Sequence, residues 1–262
     1  MQYPFTRIDR ATIIRRKSFK PPYRNHVTAS KLAAFAHQDD FATAGLTAVR
    51  VFARKEMPEP SSFSYKAIDH GNQNEAHAAR FIRSCPFFSD YEFELTDNDG
   101  TWSITGTWRE NATRKCFMFS ATPDMLIQDR RGVLVPVEIK CPYKAWIEGL
   151  DLTTSFMKPS HWLQLIAQML LTGSKKGFLC VYMPMRSARP EQAIVWEVKL
   201  TRAAHDYVLN LVNETYDKIS ICSEPEDFKK AFRAKNGEKK VIRDFIDLQM
   251  KNQTTIKLRY NC

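Results

Sequence analysis

The 262-residue chain lacks any apolar run near the roughly 20 residues that a helix needs to cross a bilayer. No membrane partner is therefore expected. Basic residues interrupt every short apolar stretch before Pro21, so no secretory leader is read there. The six cysteines (Cys85, Cys116, Cys141, Cys180, Cys222, Cys262) form no CxxC pair, and the six histidines form no HExxH motif. Structural zinc needs tighter clustering of such ligands. Free thiols in a reducing compartment follow, which places the chain inside the cell, in cytoplasm or nucleus. Internal repeats and low-complexity tracts are absent as well.

What is present is positive charge. Lysine and arginine outnumber acids 39 to 29, for a net charge of +10. A basic surface draws polyanions by releasing their counterions, which makes nucleic acid the leading partner class. The excess is uneven. Before Val27 stand Arg7, Arg10, Arg15, Arg16, Lys17, Lys20 and Arg24 against the single acid Asp9, and a second basic stretch runs from Lys229 to Lys240.

Local patterning divides the chain into a basic N-terminal arm (1–27), a core (28–200) and a C-terminal helical extension of the same domain (201–262). The arm, with Pro21-Pro22, reads as loop with at most one short helix. Helices are expected at 31–37, 43–57 and 64–83, the last broken or adjusted near Gly71. Alternating apolar and β-branched residues predict strands at 91–95, 102–108, 115–121, 125–128 and 133–139, with a hairpin turn at Asn98-Asp99-Gly100. A helix at 161–171 stops at Gly173. Strands at 178–183 and 193–200 follow, then helices over 203–219 and 224–251. This order predicts an α/β (α+β) layered domain with a central mixed sheet flanked by helices.

One stretch carries chemistry. Thr122-Pro123-Asp124 is followed, after a tight hairpin, by Val137-Glu138-Ile139-Lys140. Alternation along a strand sends Glu138 and Lys140 to one face and Ile139 to the other. The hairpin would bring Asp124 beside Glu138. Two adjacent carboxylates repel unless a divalent cation neutralises them. Magnesium accepts oxygen ligands and keeps several waters, and a nearby ammonium can orient one of those waters. As a short pattern this is weak, and a turn aspartate with a cross-charged strand edge would look the same. The apolar run Val133–Val137 strengthens the first reading, because charges ending a buried strand need partners. Gln164 and Gln168 lie at i and i+4 on the 161–171 helix, on one face.

These residues resemble a known family. Ser120-Ala121-Thr122-Pro123-Asp124, Val137-Glu138-Ile139-Lys140-Cys141-Pro142 and the Gln164 helix are similar to the lambda-exonuclease or YqaJ-like viral recombinase group of PD-(D/E)xK nucleases. His70-Gly71 to Glu75-Ala76 resembles the group's glycine-to-glutamate motif, and Arg24 to Ser30 its N-terminal arginine and Thr-Ala-Ser segment. The resemblance implies a restriction-endonuclease-like core. It implies Mg2+ (Mn2+ can substitute) held by Asp124, Glu138 and the Ile139 carbonyl. Lys140 would position the attacking water, and Glu75 and Gln164 would support the metal and water network. Arg24, Ser30 and Thr122 would hold a terminal 5′-phosphate. The implied activity is 5′-to-3′ digestion of one strand of linear double-stranded DNA in viral or phage-type recombination. A ring-shaped homo-oligomer and a single-strand annealing protein suit that setting. Two alternatives stay open: an alkaline-nuclease-like endonuclease acting on DNA or RNA, and an inactive nucleic-acid-binding protein.

Overall fold

A computed structural model describes residues 8–16, 26–39, 42–53, 61–93, 101–109, 116–153, 156–186, 189–251 and 253–259. Its centre is a five-stranded mixed sheet. The strands are β5 (Met125–Gln128), β6 (Leu134–Lys140), β7 (Lys176–Met183), β8 (Gln192–Lys199) and β9 (Thr254–Arg259), in that spatial order. Among the described pairings of this sheet, only that of β6 with β7 is parallel. The crossover between them holds α4 (Tyr143–Glu148) and α5 (Pro159–Thr172), as a parallel connection requires.

Helices cover both faces of this sheet. One face packs on α3 (Ser62–Ser84) through Ala78, Phe81 and Ile82 against Val135, Val137, Ile139 and Phe178. The other face meets α5, α1 (Leu32–Phe35), α2 (Ala44–Phe52), α6 (Arg202–Ser220), α7 (Pro225–Ala231) and α8 (Glu238–Lys251) around Trp162, Leu165, Leu179 and Val208. The α/β class with a central mixed sheet flanked by helices is therefore the fold observed. Among the described residues no helix is long and apolar enough to cross a membrane. Cys85, Cys141, Cys180 and Cys222 are free thiols.

A second sheet has the order β1 (Ile8–Arg16), β3 (Thr101–Arg109), β4 (Cys116–Ala121), β2 (Val27–Thr28). Thr122-Pro123-Asp124 links the end of β4 in this sheet to the start of β5 in the central one.

Local chemistry sets the boundaries. The Thr43 and Ser61 hydroxyls accept from the Leu46 and Ser64 N–H groups at 3.3 and 3.2 Å and start α2 and α3. Pro159 opens α5, and Gly173, at φ 71°, closes it. A Cβ on Gly177 would lie 2.9 Å from Leu165 Cδ1, so the glycine lets the α5 side chains pack directly on β7.

Five expectations change. Residues 8–16 form a strand rather than a loop, because β3 supplies an antiparallel ladder to Thr12-Ile13-Ile14. Helix α3 runs through Gly71 unbroken, since its buried stripe continues to Ile82. The span read as one helix from 224 to 251 splits after Ala231, and Gly237 takes φ 78° before α8 begins. The C-terminal segment is not wholly helical, because β9 pairs along β8. The strand expected at 91–95 is seen only as a bridge between Glu92 and Gln128. Its last residues and the Asn98–Gly100 turn lie outside the described residues.

Candidate active site

The β5–β6 hairpin fixes the site. Its turn is held by Asp129, whose carboxylate accepts from the Arg131 and Val133 N–H groups at 2.9 and 3.0 Å, and by Gly132 at φ 76°. The register pairs Met125 with Val137, so the next rung sets Asp124 opposite Glu138. There the Asp124 side chain replaces the backbone partner, and its Oδ2 accepts from the Ile139 N–H at 2.6 Å.

Glu138 is fully buried, at 0% exposure. It faces α5, while Ile139 joins the α3-side core. One Glu138 oxygen accepts from the Lys140 ammonium and the other from Gln168 Nε2 at 2.5 Å. The Gln168 amide oxygen is buried and finds no donor among the described residues. Glu75 comes from α3 and shares a side-chain hydrogen bond with Asp124.

Three carboxyl groups thus face one ammonium in a low-dielectric pocket. Burial is the main cause that lifts the Asp124 carboxyl to about 8, with Glu75 adding to it and Lys140 opposing it. Burial and Asp124 together push Glu138 up to about 7. Burial alone would lower the Lys140 ammonium, but Glu138 and Asp124 outweigh it and raise Lys140 above its ordinary value. Burial, helped by Asp124 and Glu75, also holds the neighbouring Cys141 thiol up at about 12. The pocket favours added positive charge, whether protons or a cation.

The donor set can be tested against a metal. Among the described residues no three His, Cys, Asp or Glu side chains converge as a metal-binding group. That excludes a closed tetrahedral zinc cage from them. Magnesium has a smaller requirement, one or two carboxylates with the other positions left to water or phosphate. Asp124 and Glu138 are two carboxylates of the kind that requirement calls for, held beside each other at the end of the β5–β6 hairpin.

The other sequence candidates fall in three places. Gln164 lies one turn before Gln168 on α5, half-buried, and Gln168 is the amide that reaches Glu138. Sequence reading put both on one face but chose Gln164 for the site. Ser30 and Thr122 are brought to the same end of the second sheet, because β2 runs parallel to β4 with Thr28 beside Ser120. Ser30 is exposed and its hydroxyl lies 3.2 Å from Thr28 Oγ1. Arg24 lies outside the described residues. His26 was not singled out from sequence, yet its Nε2 sits 2.5 Å from Ser120 Oγ and ties β2 to the strand that leads into Asp124.

No family model matches the chain, and no curated protein matches it in sequence. Solved structures do. An alkaline exonuclease from Laribacter hongkongensis superposes with a TM-score of 0.50 at 20% identity, over 78% of this chain and 92% of its own. A second structure, SSO0001, gives a TM-score of 0.41 at 13% identity, over 76% of this chain and 78% of its own. The first likeness shows a shared fold.

Proposed function

We propose that this chain is a magnesium-dependent deoxyribonuclease of the lambda-exonuclease-like PD-(D/E)xK group. It digests one strand of linear duplex DNA in the 5′-to-3′ direction from 5′-phosphorylated ends, in viral or phage-type recombination. The observation that carries this reading is the buried meeting of Asp124, Glu138 and Lys140, whose carboxyls are lifted toward neutral pH. The fold shared with an alkaline exonuclease supports it.

In this reading Asp124, Glu138 and the Ile139 carbonyl hold Mg2+, with Glu75 beside them. Bound there, the ion supplies Lewis acidity toward a phosphoryl oxygen and acidifies water. The chain's own residues do the rest. Lys140 orients the attacking water and offsets charge gathering on the phosphate. Gln168 keeps the Glu138 carboxylate in one rotamer, and Gln164, one turn away on α5, assists the water network. Thr122 and Ser30, with Arg24, receive the terminal phosphate. A ring of identical subunits and a strand-annealing partner suit such an enzyme, since a closed ring keeps a shortening duplex enclosed.

The test is digestion of duplexes by the purified chain with magnesium. Linear duplex bearing 5′-phosphate should shorten stepwise, 5′-hydroxyl ends should react more slowly, and closed circles should stay intact. Nicked circles would replace the end-directed reading with internal cutting. Tight binding without cleavage of any substrate would overturn the enzyme assignment. Lys140→Ala should abolish cutting and largely preserve DNA binding, and surviving activity would remove Lys140 from its role.

A further inference from the structure

A cleft of about 580 Å3 opens where α2, the turn after α7 and the start of α8 meet. Its lining carries His37, Lys229, Arg233, Lys235 and Lys239. Lys229 pairs with Glu226 at 2.5 Å, whereas the Arg233, Lys235 and Lys239 side chains make no ion pair among the described residues. The Glu238 carboxylate near these cations accepts from the Lys235 N–H at 2.6 Å and stands 4.0 Å from His37 Nε2. Two further contributions are positive. The cleft is lined by the first turn of α2 (Gly45, Leu46) and by that of α8 (Lys239), and both helices present the positive ends of their dipoles there.

The cleft is built rather than incidental. A Cβ on Gly45 would lie 2.9 Å from the Lys229 Cα, so glycine sets how closely α2 approaches α7. His37 closes α1 in a left-handed conformation at φ 56°, which costs a residue with a side chain. The next residue, Gln38, is buried and donates its amide to the Lys239 carbonyl at 3.0 Å. Burial lowers the His37 imidazole and the neighbouring Lys218 and Lys239 lower it further, against Glu238.

We infer that this cleft is a second nucleic-acid contact, which grips phosphodiester groups of a strand beyond the acid site. Among the described residues the lining ring, Phe232, is buried in the core and offers the cations no aromatic shelf. The contact therefore reads backbone charge and not base identity. Its placement suits a flanking strand. His37 follows Ser30 by one 3-10 turn and α1, a rise of roughly 12 Å at standard helix geometry. Nucleic acid as the polyanion rests on the proposed function; the anion-binding character rests on the cleft alone.

The test uses the full chain without metal, so that no cutting is needed. Fluorescence anisotropy of a long labelled duplex is followed across salt concentrations. Arg233→Ala/Lys235→Ala should lower the salt slope by about two units and weaken binding roughly ten-fold near 0.1 M salt. A short duplex that fills only the acid site should bind both proteins alike. Arg130→Ala/Arg131→Ala, in the β5–β6 turn, removes the same charge and should leave the slope within about half a unit. An unchanged slope in the cleft variant, or an equal fall in the turn variant, overturns the inference. Failure of cleavage with magnesium counts against the proposed function and leaves the slope comparison intact.

Discussion

The acid pocket around Glu138 and the basic cleft around Lys239 each gather like charges, and burial makes them behave differently. In the pocket, protein atoms replace water, and the charges answer by holding protons and by pairing tightly with Lys140. In the cleft, the cations stand at the surface, where water and salt screen them. Burial converts charge density into held protons and a tight pairing with one ammonium. Exposure converts it into a broad, salt-sensitive pull on a polyanion. One molecule can then grip a substrate loosely at one place and act on it tightly at another.

The strongest break in this comparison is to remove one pocket charge. Glu138→Gln or Asp124→Asn should lower magnesium-dependent cleavage by roughly 10^3-fold or more, the scale seen when a principal electrostatic group is lost. Single-turnover digestion of a labelled duplex checks it. The cleft variant should leave the single-turnover rate at saturating enzyme near that of the parent.

Lys140→Ala should cost about 2–4 kcal/mol in urea unfolding near pH 7–8 without metal, because Glu138 then stays buried without its charged partner. The lower end applies because Lys140 is 29% exposed. A variant as stable as the parent would show that water already compensates Glu138.

The pH response has a definite sign. Asp124 and Glu138 hold protons in the folded chain at pH values where the unfolded chain has released them. Metal-free stability should therefore fall as pH rises from near 4 toward 8, with Tm dropping by roughly 5 °C. Lys140 is raised as well, and its contribution is lost only above its ordinary range. Magnesium at pH 8 should restore the lost Tm, and a Tm flat in pH would remove the strained pair from the account.

The smallest effect separates two amides. Gln168→Ala should cost about 1–2 kcal/mol in urea unfolding, because it leaves Glu138 short of a donor. Gln164→Ala should cost no more than about 0.5 kcal/mol. Equal costs would deny Gln168 its special place.

Those two glutamines also mark how far the sequence was legible. The hairpin was readable because strand alternation and a short turn are local, and both placed Asp124 beside Glu138. The helix face was readable as well, from the i, i+4 spacing. Which amide reaches the carboxylate depends on how α5 is set on β7, and that follows from the space at Gly177, distant in sequence. Strand β1 was missed because its arginines read as an arm, although Thr12-Ile13-Ile14 carried a β signal whose partner lies some 90 residues away. Strand β9 was missed in the same way, with Thr254-Thr255-Ile256 as its local hint. The break before α8 had Gly237 as its signal, outweighed by the charged residues around it.

The parallel pairing of β6 with β7 also bears on the order of assembly. The β5–β6 hairpin closes over short separations, and hairpins form in about 1–10 μs. Strand β7 can join only after the α4–α5 crossover is in place, a slower, longer-range event. Asp124 and Glu138 thus meet before Gln168 arrives, as a repelling pair in a half-built chain. Stopped-flow refolding should be faster near pH 5 than near pH 8, and added magnesium should narrow the gap. The proposed ion would then be a partner in folding before it could be one in chemistry.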